Sequence, residues 1–253
     1  MRLNNKVAII TGASKGIGEG IATRYAQEGA AVILASRSLD RLSAIAEKIN
    51  SQGGQALALE VDVRQSESIQ VMVNKTVENF GRLDIMVNNA GISMAQPSEE
   101  LSPEDWTRAV ETDLFGVFYG CQSAARQMIH QGGGCIINIT SVYGIVAAPM
   151  RAAYCASKAG GNMLTKVLAS EWASKKIRVN AIAPGYVRTE LVTDLIDKGV
   201  IPVDTIEKRT PQGRMGEVED VLGAAVFLAS EEAAFVTGSI LTVDGGWTAY
   251  GYL

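Results

Sequence analysis

Three polar residues in the middle of the chain have the types and the spacing needed to move a proton. Ser141 follows an apolar run, Tyr154 comes thirteen residues later, and Lys158 comes four residues after Tyr154. Residues i and i+4 lie on the same face of a helix. A phenol alone is a poor acid or base near neutral pH, and a neighbouring ammonium group favours the phenolate. Tyr154 could then exchange a proton with a substrate hydroxyl or carbonyl while Ser141 hydrogen-bonds the same oxygen. An ordinary pair on a helix surface would have the same spacing.

A glycine-rich loop follows the first apolar run and could bind a phosphate group. Glycines allow a tight turn and a close approach to a pyrophosphate, next to the free N–H groups of a helix N-terminus. The candidate ligands are Gly12, Ser14, Lys15, Gly16, Ile17 and Gly18. The spacing G-x-x-x-G-x-G differs from G-x-G-x-x-G and from a loop ending in Gly-Lys-[Ser/Thr]. A tight strand–helix turn that binds no ligand is the competing interpretation.

The end of the second predicted strand distinguishes between NAD and NADP. An acidic residue there would bind the ribose 2′-hydroxyl of NAD, but this chain has Ser36 and Arg37. Together with Lys15 they could neutralise a 2′-phosphate by charge-assisted hydrogen bonds, which favours NADP(H) over NAD(H). Arg37 could instead be a solvated surface residue. After the third strand, Asp62 and Val63 could flank an adenine, although a solvated turn aspartate explains Asp62 nearly as well.

Short β-branched runs alternate with longer segments of helical period, which predicts an α/β fold. The predicted strands are 7–11, 31–35, 56–61, 85–87, 135–140, 178–182 and 240–243, and the predicted helices are 17–28, 39–51, 66–80, 103–130, 152–174 and 217–229. Continuous apolar runs are typical of strands buried on both faces. We therefore expect residues 1–253 to form one domain, a Rossmann-type doubly wound parallel sheet of about seven strands with helices on both faces. Ligands should bind at the carboxyl ends of the strands.

The composition argues against several other classes of protein. The chain has 253 residues, of which 47% are hydrophobic and 20% are charged, as in an ordinary globular protein. A single histidine cannot supply a His-rich zinc site, and three cysteines form no paired CxxC set, so we expect no metal. The net charge of −4 argues against nucleic-acid binding. The absence of a signal-like segment and of a long apolar run predicts a cytoplasmic protein that does not span a membrane.

Taken together, the motifs resemble those of the short-chain dehydrogenases/reductases over essentially the whole chain. The resemblance is carried by Thr11-Gly12-x-x-x-Gly16-x-Gly18, Asn88-Asn89-Ala90-Gly91, Ser141 with Tyr154-x-x-x-Lys158, Pro184-Gly185 and Asp244-Gly245-Gly246. It implies an enzyme that interconverts alcohols and carbonyls with NAD(H) or NADP(H), the nicotinamide carrying the hydride. It also implies a homotetramer that uses the helices 103–130 and 152–174.

The resemblance implies roles for individual residues. Tyr154 is the expected acid/base, Lys158 also binds the nicotinamide ribose, and Ser141 orients the substrate. Further cofactor contacts are expected from Asn89, Ala90, Gly91, Pro184, Gly185, Val187 and Thr189. The family usually has an asparagine where this chain has Asp113. The main-chain carbonyl of Asp113 could still hold the water of a proton relay, and its carboxylate would tend to keep Lys158 charged.

The segment 186–216 has no clear role in the sheet, and we expect it to cover the substrate. It predicts one or two short amphipathic helices, which could form a mobile lid or a fixed hairpin. Besides Ser141 and Tyr154, the expected substrate contacts are Tyr143, Met150, Tyr186 and Leu191. Because these side chains are mostly apolar, they favour a neutral ketone or aldehyde, or one whose charge is far from the reacting carbon. Arg151 is the residue that could change this expectation.

We therefore expect an NADP(H)-dependent enzyme that interconverts a ketone, aldehyde or 3-oxoacyl group and the corresponding alcohol, with a small molecule as its substrate. The second hypothesis is an NAD-dependent dehydrogenase of a sugar, polyol or other secondary alcohol. A nucleotide-binding protein without catalysis is the third hypothesis. The intact set of Ser141, Tyr154 and Lys158 argues against that third hypothesis.

Overall fold

The computed structural model describes residues 1–197, 199 and 201–251, without the side chains of Leu191 and Leu195. In this part of the chain the strands are β1 (Val7–Thr11), β2 (Ala31–Ser36), β3 (Gln55–Glu60), β4 (Ile85–Asn88), β5 (Gly134–Ile139), β6 (Ile177–Pro184), β7 (Val187–Arg188), β8 (Gly216–Glu217) and β9 (Ile240–Val243). The helices are α1 (Gly16–Gln27), α2 (Leu39–Ser51), α3 (Ser66–Phe80), α4 (Pro103–Val110), α5 (Gly116–Gln131), α6 (Ala152–Trp172), α7 (Glu190–Asp197), α8 (Val203–Arg209) and α9 (Val218–Ala229).

Seven of these strands form one parallel sheet in the order β3-β2-β1-β4-β5-β6-β9. The chain moves outward in one direction from β1 to β3 and in the other direction from β4 to β9. The switch point between β1 and β4 is where a doubly wound sheet opens a crevice at its carboxyl end. The short strands β7 and β8 form a separate pair. This pair joins the two ends of the segment that contains α7 and α8.

Helices cover both faces of the sheet and bury two apolar cores. Helices α1, α2 and α9 pack on one face, whereas α3, α5 and α6 pack on the other. Neighbouring residues of one strand belong to different cores: Ile10 faces α1 and Ile9 faces α3, and both are completely buried. This alternation follows from the two-residue period of a strand and explains why the strands consist of continuous apolar runs.

The structure confirms the predicted fold class and adds details that the pattern did not show. The region 103–130, predicted as one helix, is interrupted by a π-helical turn at Glu111–Phe115. Short π-helical turns inside longer helices are frequent at functional sites. Two short helices occur in the segment 186–216, as expected, whereas the β7–β8 pair was not predicted. None of the helices in the described residues combines the length and apolar character that crossing a bilayer requires.

The close packing of α5 on β4 predicts that Gly120→Ala destabilises the protein. An added methyl group at Gly120 would overlap the Asn88 side-chain oxygen and lie 2.9 Å from Cε of Met86. Overpacking of this kind costs about 1–3 kcal/mol. The matched control is Gly223→Ala in α9, where nothing lies within 4 Å of the added methyl. That variant should be unchanged or more stable by up to about 1 kcal/mol. Urea unfolding at one fixed protein concentration measures both, and equal stabilities would contradict the expectation.

Candidate active site

A cleft of about 930 Å³ lies at the carboxyl ends of the parallel strands. Residues that follow successive strands line it: Gly12 after β1, Arg37 after β2, Asp62 after β3, Asn89 after β4, Ser141 after β5 and Gly185 after β6. The volume is at the upper end of the range for small-molecule sites. The topology therefore brings together the predicted motifs, which are spread over more than half of the chain.

The glycine loop is shaped for close approach of a ligand to the backbone. Gly12 and Gly16 have φ angles of +65° and +60°, which disfavour residues with a side chain. A Cβ atom on Gly12 would lie 2.8 Å from Cα of Ala90, and one on Gly16 would lie 3.2 Å from Cγ2 of Thr189. Helix α1 begins at Gly16, so its free N–H groups and positive dipole end face the cleft. These residues fit a dinucleotide pyrophosphate.

Two residues of the expected cofactor site hold the loop together. Gly18 is buried and does not line the cleft; a Cβ atom there would overlap the Gly12 carbonyl oxygen and the Asn89 amide nitrogen. We therefore correct its role from cofactor contact to support of the loop. The Asn89 side-chain amide donates to the carbonyl oxygens of Thr11 (2.9 Å) and Gly12 (3.2 Å). It thereby joins the end of β4 to the end of β1.

The end of the cleft near β2 and β3 carries an excess of positive charge. Lys15 and Arg37 line it with Ser36 and Ser14. Arg64 also lines it and had not been singled out from the sequence. The Arg64 guanidinium donates to both carboxylate oxygens of Asp62, and these hydrogen bonds hold the pKa of Asp62 below its usual range. Since Arg64 compensates Asp62, the charges of Lys15 and Arg37 are left for a ligand.

The three residues predicted to move a proton face one part of the cleft. Ser141 is buried beyond β5, and its Oγ accepts a hydrogen bond from the Tyr143 N–H at 3.1 Å. Tyr154 lies in the first turn of α6, and Lys158 follows one turn later. Lys158 is only 4% exposed; its Nζ donates to the Ile139 carbonyl at 3.2 Å and lies 5.5 Å from the centre of the Tyr154 ring. The folded chain thus places a buried cation directly beside a phenol that faces the cleft.

Asp113 lies behind this group, in the π-helical turn, and does not line the cleft. It is 1% exposed; its Oδ1 accepts from the Ile92 N–H at 2.8 Å, and its Oδ2 is buried without a partner. A Cβ atom on Gly91 would lie 2.8 Å from Oδ1 of Asp113 and 3.3 Å from Nζ of Lys158. Burial raises the pKa of Asp113, although Lys158 and the Ile92 N–H act in the opposite direction. Asp113 can therefore act only through Lys158 and the backbone.

The substrate end of the cleft differs in part from the expectation. Tyr143 and Tyr186 line it, with hydroxyl oxygens 2.6 Å apart and rings at 90°. Met150 does not line it: the residue is 50% exposed, and its backbone has a left-handed conformation with a φ of +63°. The side chain of Leu191 lies outside the described part of the structure.

The remaining residues expected at the cofactor and several unexpected residues also line the cleft. The expected ones are Ile17, Val63, Ala90, Gly91, Pro184, Val187 and Thr189. The unexpected ones at the substrate end are Ile92, Ser93, Arg108, Thr112, Val192 and Ile201. No local motif marks the unexpected residues, because they come from separate elements: the loop after β4, α4, the π-helical turn, α7 and the connection between α7 and α8. Arg151 lines the same end.

Comparisons with known proteins agree with this arrangement. The family profile described as Enoyl-(Acyl carrier protein) reductase matches residues 12–248. The chain is 39% identical to D-threitol dehydrogenase of Mycolicibacterium smegmatis over 98% of this chain and 94% of the relative. It is 42% identical to 3beta-hydroxysteroid dehydrogenase 1 of Eggerthella lenta over 98% of this chain and 95% of the relative.

A solved structure is similar in architecture as well as in sequence. The gluconate 5-dehydrogenase of Burkholderia cenocepacia, solved in complex with NADP and tartrate, superposes with a TM-score of 0.93. It is 39% identical, and the match covers 98% of this chain and 97% of that chain. The likeness therefore includes both the sequence and the architecture over almost the full length.

The buried carboxyl group of Asp113 predicts a pH-dependent stability difference for Asp113→Asn. Since burial raises the pKa of Asp113, the folded state retains this proton at pH values where the unfolded chain has lost it. Stability then falls as the pH rises through that range. Asparagine cannot ionise, so the stability gain of the variant over the natural protein should grow from about pH 4 towards neutrality.

Urea unfolding at a series of pH values measures this gain. The control is Glu47→Gln on the exposed face of α2, for which the difference should stay flat across the series. A gain for Asp113→Asn that shrinks with rising pH would contradict the analysis.

Proposed function

The chain belongs to the short-chain dehydrogenase/reductase family, and we propose that it uses NADP(H), with Tyr154 as the acid/base of the reaction. It is an oxidoreductase that interconverts alcohols and carbonyl compounds. The observation that carries the proposal is the arrangement of Tyr154 on the cleft wall with Lys158 buried behind its ring.

The cofactor would be held by the glycine loop at its pyrophosphate and by Lys158 at the nicotinamide ribose. Pro184, Gly185, Val187 and Thr189 line the cleft next to the nicotinamide end. When bound, the nicotinamide supplies the acceptor or donor of the hydride. The remaining chemistry belongs to the protein, which must orient the substrate oxygen and move one proton.

The proton step would use Tyr154, with Ser141 and Lys158 in supporting roles. The Ser141 Oγ accepts the Tyr143 N–H, so its own hydrogen is free to be donated to the substrate oxygen. During oxidation Tyr154 would take the proton of an alcohol, with the ammonium of Lys158 beside its ring to stabilise the charge that develops. During reduction the protonated phenol returns that proton to the oxygen of the new alcohol. Burial and the hydrogen bond to Tyr186 raise the pKa of Tyr143, which keeps that second phenol protonated.

The preference for NADP(H) is supported by charge. Arg37 lines the cleft beyond β2 and makes no ion pair with any residue that the structure describes. A ribose 2′-phosphate would supply the missing partner, and Ser36 and Lys15 would add hydrogen bonds. The related gluconate 5-dehydrogenase holds NADP, which is consistent with this preference.

We also propose that the segment 186–216 acts as a lid and that the protein is a cytoplasmic homotetramer. Val192 and Ile201 of the segment line the cleft. Exposed apolar side chains on the long helices, among them Phe118 and Met163, would be covered by partner subunits. The three cysteines are unpaired, as is usual in a reducing compartment.

Tyr154→Phe should abolish turnover but leave cofactor binding intact. The variant keeps the ring that lies beside Lys158 and loses only the group that carries the proton, which should lower kcat by about 10²–10⁴-fold. A panel of ketones, aldehydes and secondary alcohols, followed by the absorbance of the reduced cofactor, measures the loss. Fluorescence titration with NADPH provides the binding control. Turnover within a few-fold of the natural protein would exclude Tyr154 as the acid/base.

Arg37→Ala should weaken NADPH binding and leave NADH binding unchanged. Loss of a hydrogen bond to a charged group costs about 1.5–3 kcal/mol, or roughly 10- to 150-fold in Kd. The matched control is Arg24→Ala, because Arg24 is ion-paired with Glu28 on α1 and does not line the cleft. Equal Kd values for the two cofactors in the natural protein would reject the NADP(H) assignment.

A further inference from the structure

Arg151 is a charged residue at the substrate end of the cleft for which the proton relay and the cofactor provide no role. It is the residue immediately before α6, three positions before Tyr154, and its side chain lines the cleft. Arg151 is the N-cap of α6 and its own backbone is not helical, but its side chain and that of Tyr154 line the same cleft. A small molecule whose reacting oxygen touches Tyr154 can therefore reach Arg151 with a second functional group.

Among the residues that the structure describes, the guanidinium of Arg151 has no anionic partner. One nitrogen, Nη1, donates to Ser93 Oγ at 2.7 Å, and Cζ lies 5.9 Å from the centre of the Tyr143 ring. No carboxylate of the described residues lies within ion-pair distance of it, whereas Arg108, on the same wall, pairs with Asp105 at 2.7 Å. A guanidinium has five N–H donors, so Arg151 retains donors for a ligand.

Arg151 and the residue before it have local conformations and charges that are unfavourable by themselves. A cation at the N-terminus of a helix lies next to the positive end of the dipole. The preceding residue, Met150, has a φ of +63°, which is unfavourable for a residue with a side chain. The Gln96 N–H donates to the Met150 carbonyl at 2.8 Å, and Ser93 contacts the guanidinium from the same loop. Strained backbone conformations and unfavourable charge positions that tertiary contacts stabilise are typical of ligand sites.

The charges around this part of the cleft also favour an anion. Among the described residues that line the cleft, the acidic side chain is Asp62, which lies at the opposite end and is bound by Arg64. The hydroxyls of Ser93, Tyr143 and Tyr186 add polar groups beside Arg151. In the described part of the chain, Arg151 thus presents an uncompensated positive charge beside neutral hydrogen-bonding groups.

We propose that Arg151 binds a carboxylate of the substrate, so that the substrate is a hydroxy acid, preferably polyhydroxylated, or the corresponding oxo acid. Its reacting carbon would be held at Ser141 and Tyr154 and its carboxylate at Arg151. The planar fork of a guanidinium matches a carboxylate with two parallel hydrogen bonds, and a single free cation balances a single negative charge. The proposal rests on the proposed oxidoreductase function and replaces the expectation of a neutral substrate.

The test compares aldonates with alditols of the same chain length, which differ only by a carboxylate in place of a terminal CH₂OH group. With NADP⁺ we expect kcat/KM to favour the aldonate by about tenfold or more. Arg151→Gln should lower kcat/KM for aldonates by about 10- to 100-fold more than it lowers kcat/KM for alditols. Arg151→Lys, which keeps the charge without the fork, should restore part of the loss. The control Arg108→Gln should leave the ratio of the two substrates unchanged, because Asp105 already neutralises Arg108.

A binding measurement separates failure of this proposal from failure of the proposed function. Calorimetric titration of the enzyme–NADPH complex with an aldonate should show binding that Arg151→Gln weakens by about 10-fold or more. Equal kcat/KM values for aldonates and alditols, with no selective effect of Arg151→Gln, would overturn the carboxylate assignment and leave the oxidoreductase function intact.

If neither the aldonates nor the broader panel of alcohols and carbonyls is turned over, the proposed function fails. The titration then still decides the role of Arg151: no aldonate binding, or equal affinity in Arg151→Gln, would overturn it. Unchanged NADPH affinity in Arg151→Gln shows that the variant is folded.

Discussion

The close approach of Gly12 to Ala90 is the constraint on which the rest of the site depends. These residues follow β1 and β4, the two strands between which the direction of the chain reverses, and a Cβ atom on Gly12 would lie 2.8 Å from Cα of Ala90. The Asn89 amide bonds to the carbonyls of Thr11 and Gly12 and holds the two strand ends together. The ends of β1 and β4 are held together at this junction. The loops that follow these two strands diverge beyond it, and the cleft between them is open to a dinucleotide.

Electrostatics divides the cleft into three regions with different tasks. Near β2, Arg64 compensates Asp62, and Arg37 makes no ion pair with any described residue. In the centre, the buried ammonium of Lys158 lies beside the phenol of Tyr154 and close to the carboxyl group of Asp113. At the far end, Arg151 has no anionic partner among the described residues. Each region contains a cation. The regions differ in whether an acidic side chain of the protein compensates the charge of that cation.

Asp113 illustrates how one departure from the family pattern is accommodated. A charged carboxylate buried this deeply is unfavourable, yet one of its oxygens accepts the Ile92 N–H and the positive charge of Lys158 is nearby. The π-helical turn that contains Asp113 interrupts a region whose sequence has uninterrupted helical periodicity. Periodicity could predict the helix but not this interruption, because the extra residue in the turn is stabilised by contacts with α6 and the loop after β4 rather than by its own sequence.

The sequence was sufficient to predict the fold and to propose Ser141, Tyr154 and Lys158 for the proton step. The apolar runs predicted the strands because both faces of the sheet are buried. The pair of Tyr154 and Lys158 could be predicted because the spacing of residues on a helix is a local property. Gly18 and Met150 show the limit of that reasoning: Gly18 is buried under the loop, and Met150 is half exposed and does not line the cleft. Tertiary structure alone decided the substrate end, where Arg151, Ser93 and Arg108 meet from separate elements. Which side chains share a cleft, and which charges are already paired, depends on long-range packing that no local spacing encodes.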